Sequence, residues 1–207
     1  MVAAGFNQVF ISIETPEEAS LTECNERQNR GRDLVADVKR IQRAGLEVQG
    51  GFILGFDHDT FRVFERQIEF IQKGGIVTAM VGLLRAMPGT KLYQRLHGQG
   101  RLLGDTTGDN VDGTTNFRPR MNPETRRQGY RSLLECVYSP GPYHYRRIRT
   151  FLREYRPPWF ASSLNWRSLM AFLHANLRLS VMGRERFHYW GRCSGRSSAA
   201  PPNCPWP

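Results

Sequence analysis

The sequence predicts an α/β fold in which three parallel strands alternate with helices, followed by an α-helical extension. Over the first hundred residues, short apolar, β-branched runs alternate with amphipathic helical segments. This order, β-α-β-α-β-α, is typical of parallel strands joined by right-handed crossovers. Beyond Pro123 only helical patterns remain.

The individual elements follow from their periodicity and their end signals. A buried strand is predicted at Val9–Ile13, and the helix at 33–44 puts Leu34, Val38 and Ile41 on one face before Gly45 ends it. For the helix that begins at Pro123, Asn122 is the predicted N-cap. The other predicted elements are strands at 46–54 and 76–84 and helices at 60–73, 90–96, 143–155 and 166–182.

This pattern divides the chain into three parts. Residues 1–98 form the α/β part and residues 99–190 the helical extension. Residues 191–207 are rich in Pro, Ser and Gly and lack periodicity, so we expect a disordered tail.

The loops that follow the strands carry the candidate site. In parallel α/β folds ligands collect at the carboxyl ends of the strands. Here those ends hold Glu14, the segment 55–59 and the turn 88–90. We therefore expect polar, acidic and glycine-rich segments to converge on one rim.

Each motif on this rim has a structural alternative. Gly51 and Gly55 would let a planar group approach the backbone, or they simply end a strand. Glu14 is placed to meet a ligand hydroxyl or ammonium group, or it is an acidic residue at a helix start. The triplet 57–59, Asp-His-Asp, could hold a metal or act as a base, but capping of the next helix by Asp59 or Thr60 is favoured.

The positive charge belongs to the second half of the chain. The net charge is +10, yet residues 1–100 hold 12 basic and 12 acidic residues, against 17 and 7 in residues 101–207. The Tyr- and Arg-rich segment 143–156 is typical of nucleic-acid or anionic-lipid surfaces. A helix there could equally bury Tyr145, Ile148 and Leu152 and leave its arginines in water, which is the interpretation we favour. Only three of the 29 basic residues are lysines, a bias that weakens the argument from charge.

The cysteines and the hydropathy indicate an intracellular protein without a metal motif. The four cysteines, Cys24, Cys136, Cys193 and Cys204, lack zinc-ligand spacing and are predicted to be free thiols. No segment has the length of a membrane span or the pattern of a signal peptide. We expect a cytoplasmic protein, with peripheral membrane association as a further option.

The motifs, taken in order, resemble a known family. The string VFISIETP at 9–16, RQNRG at 27–31, GGFILGFDHDT at 50–60 and MPGTKLY at 87–93 together resemble the second half of a radical S-adenosylmethionine (SAM) barrel. More narrowly, the chain is similar to the cobalamin-binding-domain radical SAM family, whose members carry a helical domain of unknown function after the barrel. The fold implied is a partial TIM-type barrel fragment of three parallel β/α units, followed by the helical extension.

The resemblance also implies cofactors and contacts. In that family a four-iron four-sulfur cluster cleaves SAM, and cobalamin commonly relays a methyl group. It implies that Glu14 contacts the ribose or methionine part of SAM and that Gly51, Ile53 and Gly55 lie against the adenine. Pro88 and Gly89 match the turn after the last strand. No catalytic residue and no metal ligand is carried over.

The resemblance is incomplete, because no cysteine reproduces the C-x-x-x-C-x-x-C motif that holds the cluster. We therefore expect a carboxy-terminal fragment of a cobalamin-dependent radical SAM C-methyltransferase, inactive alone, with a small-molecule or lipid-like substrate. A separate chain could supply the missing half, and the sheet would expose an open edge at Val9–Ile13. The alternative is a non-catalytic basic module that binds anionic lipid or, less favoured, nucleic acid.

Overall fold

The computed structural model describes residues 1–104, 113–138, 142–157 and 166–177. The strands are β1 (Gln8–Glu14), β2 (Glu47–Leu54) and β3 (Thr78–Leu83). The helices are α1 (Glu18–Glu23), α2 (Leu34–Arg43), α3 (Arg62–Gly74), α4 (Lys91–Gly98), α5 (Pro123–Tyr138), α6 (Pro142–Glu154) and α7 (Trp166–Leu177). The predicted tail at 191–207 lies outside the described residues.

The three strands form one parallel sheet in the order β1-β2-β3, which confirms the predicted α/β fold. The predicted strands and helices are all found, with ends shifted by up to two residues; α7 is described as far as Leu177. Helix α1 was not predicted as an element, because its six residues are too few to show a helical period.

Local signals in the sequence explain where the helices begin and end. The Asp33 carboxylate accepts a hydrogen bond from the Ala36 N–H and caps α2, and Thr90 caps α4 through the Tyr93 N–H. Asn122 accepts from the N–H groups of Glu124 and Thr125, as predicted. Gly75 ends α3 in the left-handed conformation, with φ of 61°.

The helices cover one face of the sheet. Alternate residues of β2 are buried, namely Val48, Gly50, Phe52 and Leu54, and they face the core that α2 and α3 complete. The Phe52 and Phe70 rings meet edge to face, with centroids 5.9 Å apart. The opposite face of the sheet is open, and Phe10 and Met80 are more than half exposed there.

The two edges of the sheet differ. At the β3 edge, the Tyr130 hydroxyl of α5 donates to the Val81 carbonyl over 3.0 Å, and the Tyr138 hydroxyl donates to the Ala79 carbonyl. These bonds satisfy backbone acceptors that a further strand would otherwise take. Strand β1, by contrast, pairs with β2 alone, so the edge at Val9–Ile13 is an outer strand, as expected.

Helices α5 and α6 pack directly on α3. Gly129 lies so close to Phe64 that a Cβ atom there would be 2.3 Å from the ring. A Cβ on Gly75 would likewise be 2.7 Å from the Phe151 nitrogen of α6. The helical extension therefore shares its core with the α/β part.

The basic helix α6 is oriented differently from the prediction. Leu152 was expected to be buried, but it is 57% exposed, whereas Arg147 is buried and donates to the Val137 carbonyl at the end of α5. Burial lowers the pKa of Arg147. One of the arginines assigned to a solvated or ligand-binding face is thus a structural residue.

The structure corrects one prediction about the cysteines. Cys24 is a free thiol, but Cys136 is disulfide-bonded, so the prediction of four free thiols is wrong for Cys136.

Within the described ranges, no helix combines the length and the hydropathy needed to cross a bilayer.

The close approach of α5 to α3 gives a test of this packing. We expect Gly129→Ala to lower the free energy of unfolding by about 1–3 kcal/mol, because the added methyl group overpacks against a buried ring. Gly98→Ala is the matched control, since nothing lies within 4 Å of a Cβ there and alanine favours helix by up to about 1 kcal/mol. Urea unfolding measures both; equal stabilities of the two variants would contradict the packing.

Candidate functional site

The open face of the sheet carries a groove of about 350 Å³ at the carboxyl ends of the strands. Its floor is formed by residues of β1, β2 and β3 that point away from the helices. The residues that line the groove include Phe10, Ser12, Glu14, Gly51, Ile53, Met80, Arg85 and Met87. The groove offers apolar surface along its length and a carboxyl group at one end.

Glu14 reaches the groove through an unusual backbone turn. The pairing of β1 with β2 shifts register between Ser12 and Glu14, and Glu14 has φ of 65°, which is rare for a non-glycine residue. The Thr15 N–H donates to the Ile13 carbonyl over 2.8 Å and closes the turn. Such strain is characteristic of functional positions. Glu14 therefore ends a strand and is not an acidic residue at a helix start.

Three effects act on the pKa of the Glu14 carboxyl. Burial raises it, the nearby charge of Glu26 raises it further, and a hydrogen bond with Ser12 opposes both.

Gly51 lies on the floor of the groove, where the absence of a side chain leaves room for the Phe10 ring. A Cβ atom there would lie 2.8 Å from the Phe10 ring, so a side chain would displace that ring. Gly51 pairs with Ser12 on one side and Met80 on the other, in the middle of the sheet. Because no side chain rises from this position, the Phe10 ring itself lies over the backbone there.

The other predicted site residues lie next to the groove without lining it. Gly55 follows β2 with φ of 106°, and Gly89 has φ of 83° in the turn before α4. Pro88 and Gly89 follow Met87, which does line the groove. The structure thus brings together Glu14, Gly51 and Ile53, while Gly55, Pro88 and Gly89 shape the adjoining loops.

Asp59 or Thr60 was predicted to cap the next helix, and that prediction is wrong for both residues. Helix α3 begins at Arg62, with no side-chain cap. The buried Asp59 carboxylate instead accepts from the N–H groups of Gly55 and Phe56, over 2.8 and 3.1 Å, and from the Ser20 hydroxyl over 2.8 Å. Burial raises the pKa of Asp59 to about 6 despite these bonds. Asp59 therefore holds the loop that leaves β2, and the sequence spacing gave no sign of this role.

Glu23 and Asp57 form the centre of an ionic network on the same rim. The Glu23 carboxylate accepts from the Asp57 N–H over 2.8 Å and from Arg95 over 2.5 Å, and it lies 3.0 Å from His58 Nδ1. Arg101 binds Asp57 through two hydrogen bonds of 2.7 and 2.8 Å and lowers the pKa of that carboxyl. The triplet at 57–59 is therefore occupied by protein contacts.

A second cavity of about 380 Å³ lies beside this network. Glu23, Cys24, Lys91 and Arg95 contribute its polar groups, and Leu84 lines both this cavity and the groove. Burial raises the pKa of the Cys24 thiol. In the part of the chain that the structure describes, no three His, Cys, Asp or Glu side chains are grouped to hold a metal ion.

The family of the chain is identified from its sequence, chiefly from the helical part. A family model described as a domain of unknown function, DUF4070, matches residues 90–201, which is more than half of the chain. The chain belongs to the DUF4070 family. This domain is found in cobalamin-binding radical SAM methyltransferases, so the family predicted from the motifs is confirmed.

Curated proteins similar to the chain are named methyltransferases. An uncharacterized methyltransferase of Synechocystis is 33% identical over 199 residues, covering 94% of this chain and 37% of that protein. The hopanoid C-2 methylase of Rhodopseudomonas palustris is 35% identical over 117 residues, 56% of this chain and 22% of that protein. A bacteriochlorophyllide d C-8(2)-methyltransferase of Chlorobaculum tepidum is 26% identical over 101 residues, 48% of this chain and 22% of that protein. The chain spans between a fifth and two fifths of the length of these relatives.

The role of Asp59 gives a pair of matched variants. Asp59→Ala leaves two backbone N–H groups without their acceptor, and we expect a loss of about 2–4 kcal/mol in the free energy of unfolding. Asp59→Asn retains an oxygen for both N–H groups and removes a buried charge, so we expect a free energy of unfolding at pH 7 that is no more than about 1 kcal/mol below that of the unchanged chain, or above it. Equal losses in the two variants would contradict the anchoring role.

The pH dependence tests the same residue independently. The pKa of Asp59 is about 6 in the folded protein and about 3.9 in an unfolded chain, so the folded state binds the proton more tightly. The contribution of the Asp59 carboxyl to the free energy of unfolding is largest below about pH 4 and falls by about 2–3 kcal/mol as the pH rises to 6. We expect Asp59→Asn to remove that decline in denaturant titrations between pH 4 and 7. An unchanged decline would place the titrating group elsewhere.

Proposed function

We propose that the chain is the part of a cobalamin-dependent radical SAM C-methyltransferase that binds the nucleoside end of SAM. The observation that carries the proposal is the groove on the open face, where Glu14, Gly51 and Ile53 lie together at the carboxyl ends of parallel strands. The family assignment and the names of the relatives support methyl transfer as the chemistry.

The residues present fit the nucleoside part of SAM. The Phe10 ring over Gly51 and the side chain of Ile53 give the groove an apolar surface, which suits an adenine ring, and the Glu14 carboxyl in the same groove suits the ribose hydroxyl groups. When bound, SAM supplies the methyl group or the radical of the family's chemistry. The chain's own residues bind the nucleoside, exclude water from its apolar face and orient it against the sheet.

The residues described here do not fit the iron-sulfur cluster. No three candidate ligands come together among them, and the cysteine spacing of the cluster motif is not in the sequence. We therefore assign no step through the cluster or cobalamin to this chain. The cluster ligands would come from residues outside these 207 or from a separate chain.

The sheet is proposed to be part of a partial TIM-type barrel. Its β1 edge is an outer edge, and a further parallel strand could pair there. At the β3 edge, by contrast, the hydroxyl groups of Tyr130 and Tyr138 occupy backbone acceptors. Strands added at β1 would enclose the open face and place Glu14 and Gly51 inside the barrel.

A lipid-like or otherwise apolar substrate fits the same face. The side chains of Phe10, Met80 and Met87 are exposed along the groove, and apolar side chains of this size are usually covered when a protein is in its working state. The names of two relatives, a hopanoid methylase and a bacteriochlorophyllide methyltransferase, support a large organic acceptor. A non-catalytic basic module is not favoured as the function of the chain, because its relatives are named methyltransferases.

Binding of S-adenosylhomocysteine, a stable analogue of SAM, tests the groove. We expect the purified chain to bind it in titration calorimetry. Gly51→Val should weaken binding at least tenfold, because its side chain forces the Phe10 ring into the groove. Glu14→Gln should weaken binding about tenfold through the loss of a charge-assisted hydrogen bond.

Thr78→Val is the control, because Thr78 begins β3 at the opposite end of the strands from the groove. We expect this variant to bind as the unchanged chain does. Thermal unfolding shows whether each variant is folded. Absence of binding by the unchanged chain, or equal affinity in a folded Gly51→Val variant, would refute the proposal.

A further inference from the structure

Helix α7 exposes a large apolar surface. Trp166 is 70% exposed, Phe172 63% and Leu177 57%, and Leu169 and Leu173 are each more than 40% exposed. Leucine and phenylalanine are rarely exposed in such numbers on one short helix. None of the described helices and strands covers these side chains.

The exposed residues are arranged by the helical period. Trp166, Leu169, Met170, Leu173 and Leu177 fall at spacings of three, four, seven and eleven residues and share one stripe about a third of the circumference wide. Arg167 and His174 flank the stripe on one side and Phe172 on the other, and Ala171 and Ala175 lie opposite it. The helix is therefore amphipathic, with a tryptophan at one end of its apolar stripe.

The sequence on both sides of this helix is strongly basic. From Tyr155 to the end of the chain it contains seven arginines and a single acidic residue, Glu185. Helix α7 itself holds no acidic residue and carries Arg167 on its polar side. Such a charge pattern attracts an anionic surface and repels a basic one.

The dimensions of α7 limit what can cover it. Twelve residues at about 1.5 Å each give a helix of about 18 Å, too short for the roughly 30 Å hydrocarbon core of a bilayer. A short amphipathic helix with basic residues beside an apolar stripe suits the interface between headgroups and acyl chains, where tryptophan is also favoured.

We propose that α7 docks the protein on an anionic lipid bilayer, with Trp166, Leu169, Leu173 and Leu177 inserted at the interface. Arg167, on the polar side of the helix, binds a lipid phosphate group. This docking rests on α7 and its charges alone and does not depend on the proposed binding of SAM in the groove.

Co-sedimentation of the full chain with lipid vesicles tests the docking. We expect binding to phosphatidylcholine vesicles that contain phosphatidylglycerol, much weaker binding to phosphatidylcholine alone, and release by added salt. Leu173→Glu should lower the affinity for the anionic vesicles about tenfold or more, because it places a charge in the apolar stripe.

Ala175→Glu is the matched control, since it adds the same charge to the opposite side of the helix, where Ala175 is exposed. Its affinity should remain within about threefold of the unchanged chain, and thermal unfolding checks that both variants fold. Equal affinities of the two variants, equal binding to both vesicle types, or no binding at all would overturn the proposal. So would an unchanged vesicle affinity together with dissociation of a dimer by Leu173→Glu, because a second copy would then cover the stripe.

Discussion

The pleat of the central strand β2 is the constraint on which the rest of the structure depends. Successive side chains point to opposite faces, so Val48, Phe52 and Leu54 enter the core while Gly51 and Ile53 face the groove. A shift of register by one residue would exchange the two sets and place a glycine where the core needs an aromatic ring. The same pairing that builds the core therefore sets the floor of the candidate site.

Buried carboxylates hold the loops around that floor. Asp59 binds backbone N–H groups at the exit of β2, and Glu23 binds the next part of the same loop from α1. Arg101 reaches Asp57 from beyond α4, so segments distant in sequence meet at one rim. Each of these bonds is charge-assisted and largely shielded from water, which makes the loops costly to displace.

The fold was more predictable than these contacts, for a physical reason. The spacing of apolar residues along a short segment identifies strands and amphipathic helices, so β1 to β3 and α2 to α6 could be located from the sequence. Glu14 could be placed on the rim because parallel strands align their carboxyl ends, and the family resemblance added Gly51 and Ile53. Ser20 lies 39 residues from Asp59, and Asp57 and Arg95 lie 34 and 72 residues from Glu23, and no local period encodes such pairs. The orientation of α6 also depends on long-range packing, which buries Arg147 and leaves Leu152 in solvent.

The central claim is that the open face of the sheet binds the nucleoside of SAM. Amide NMR spectra of the chain, recorded with and without S-adenosylhomocysteine, test it most directly. The account predicts shifts concentrated at Ser12, Glu14, Gly51 and Ile53, with the amides of α5 and α6 unchanged. Shifts confined to α5, α6 or α7, or spectra that do not change at saturating ligand, would contradict it.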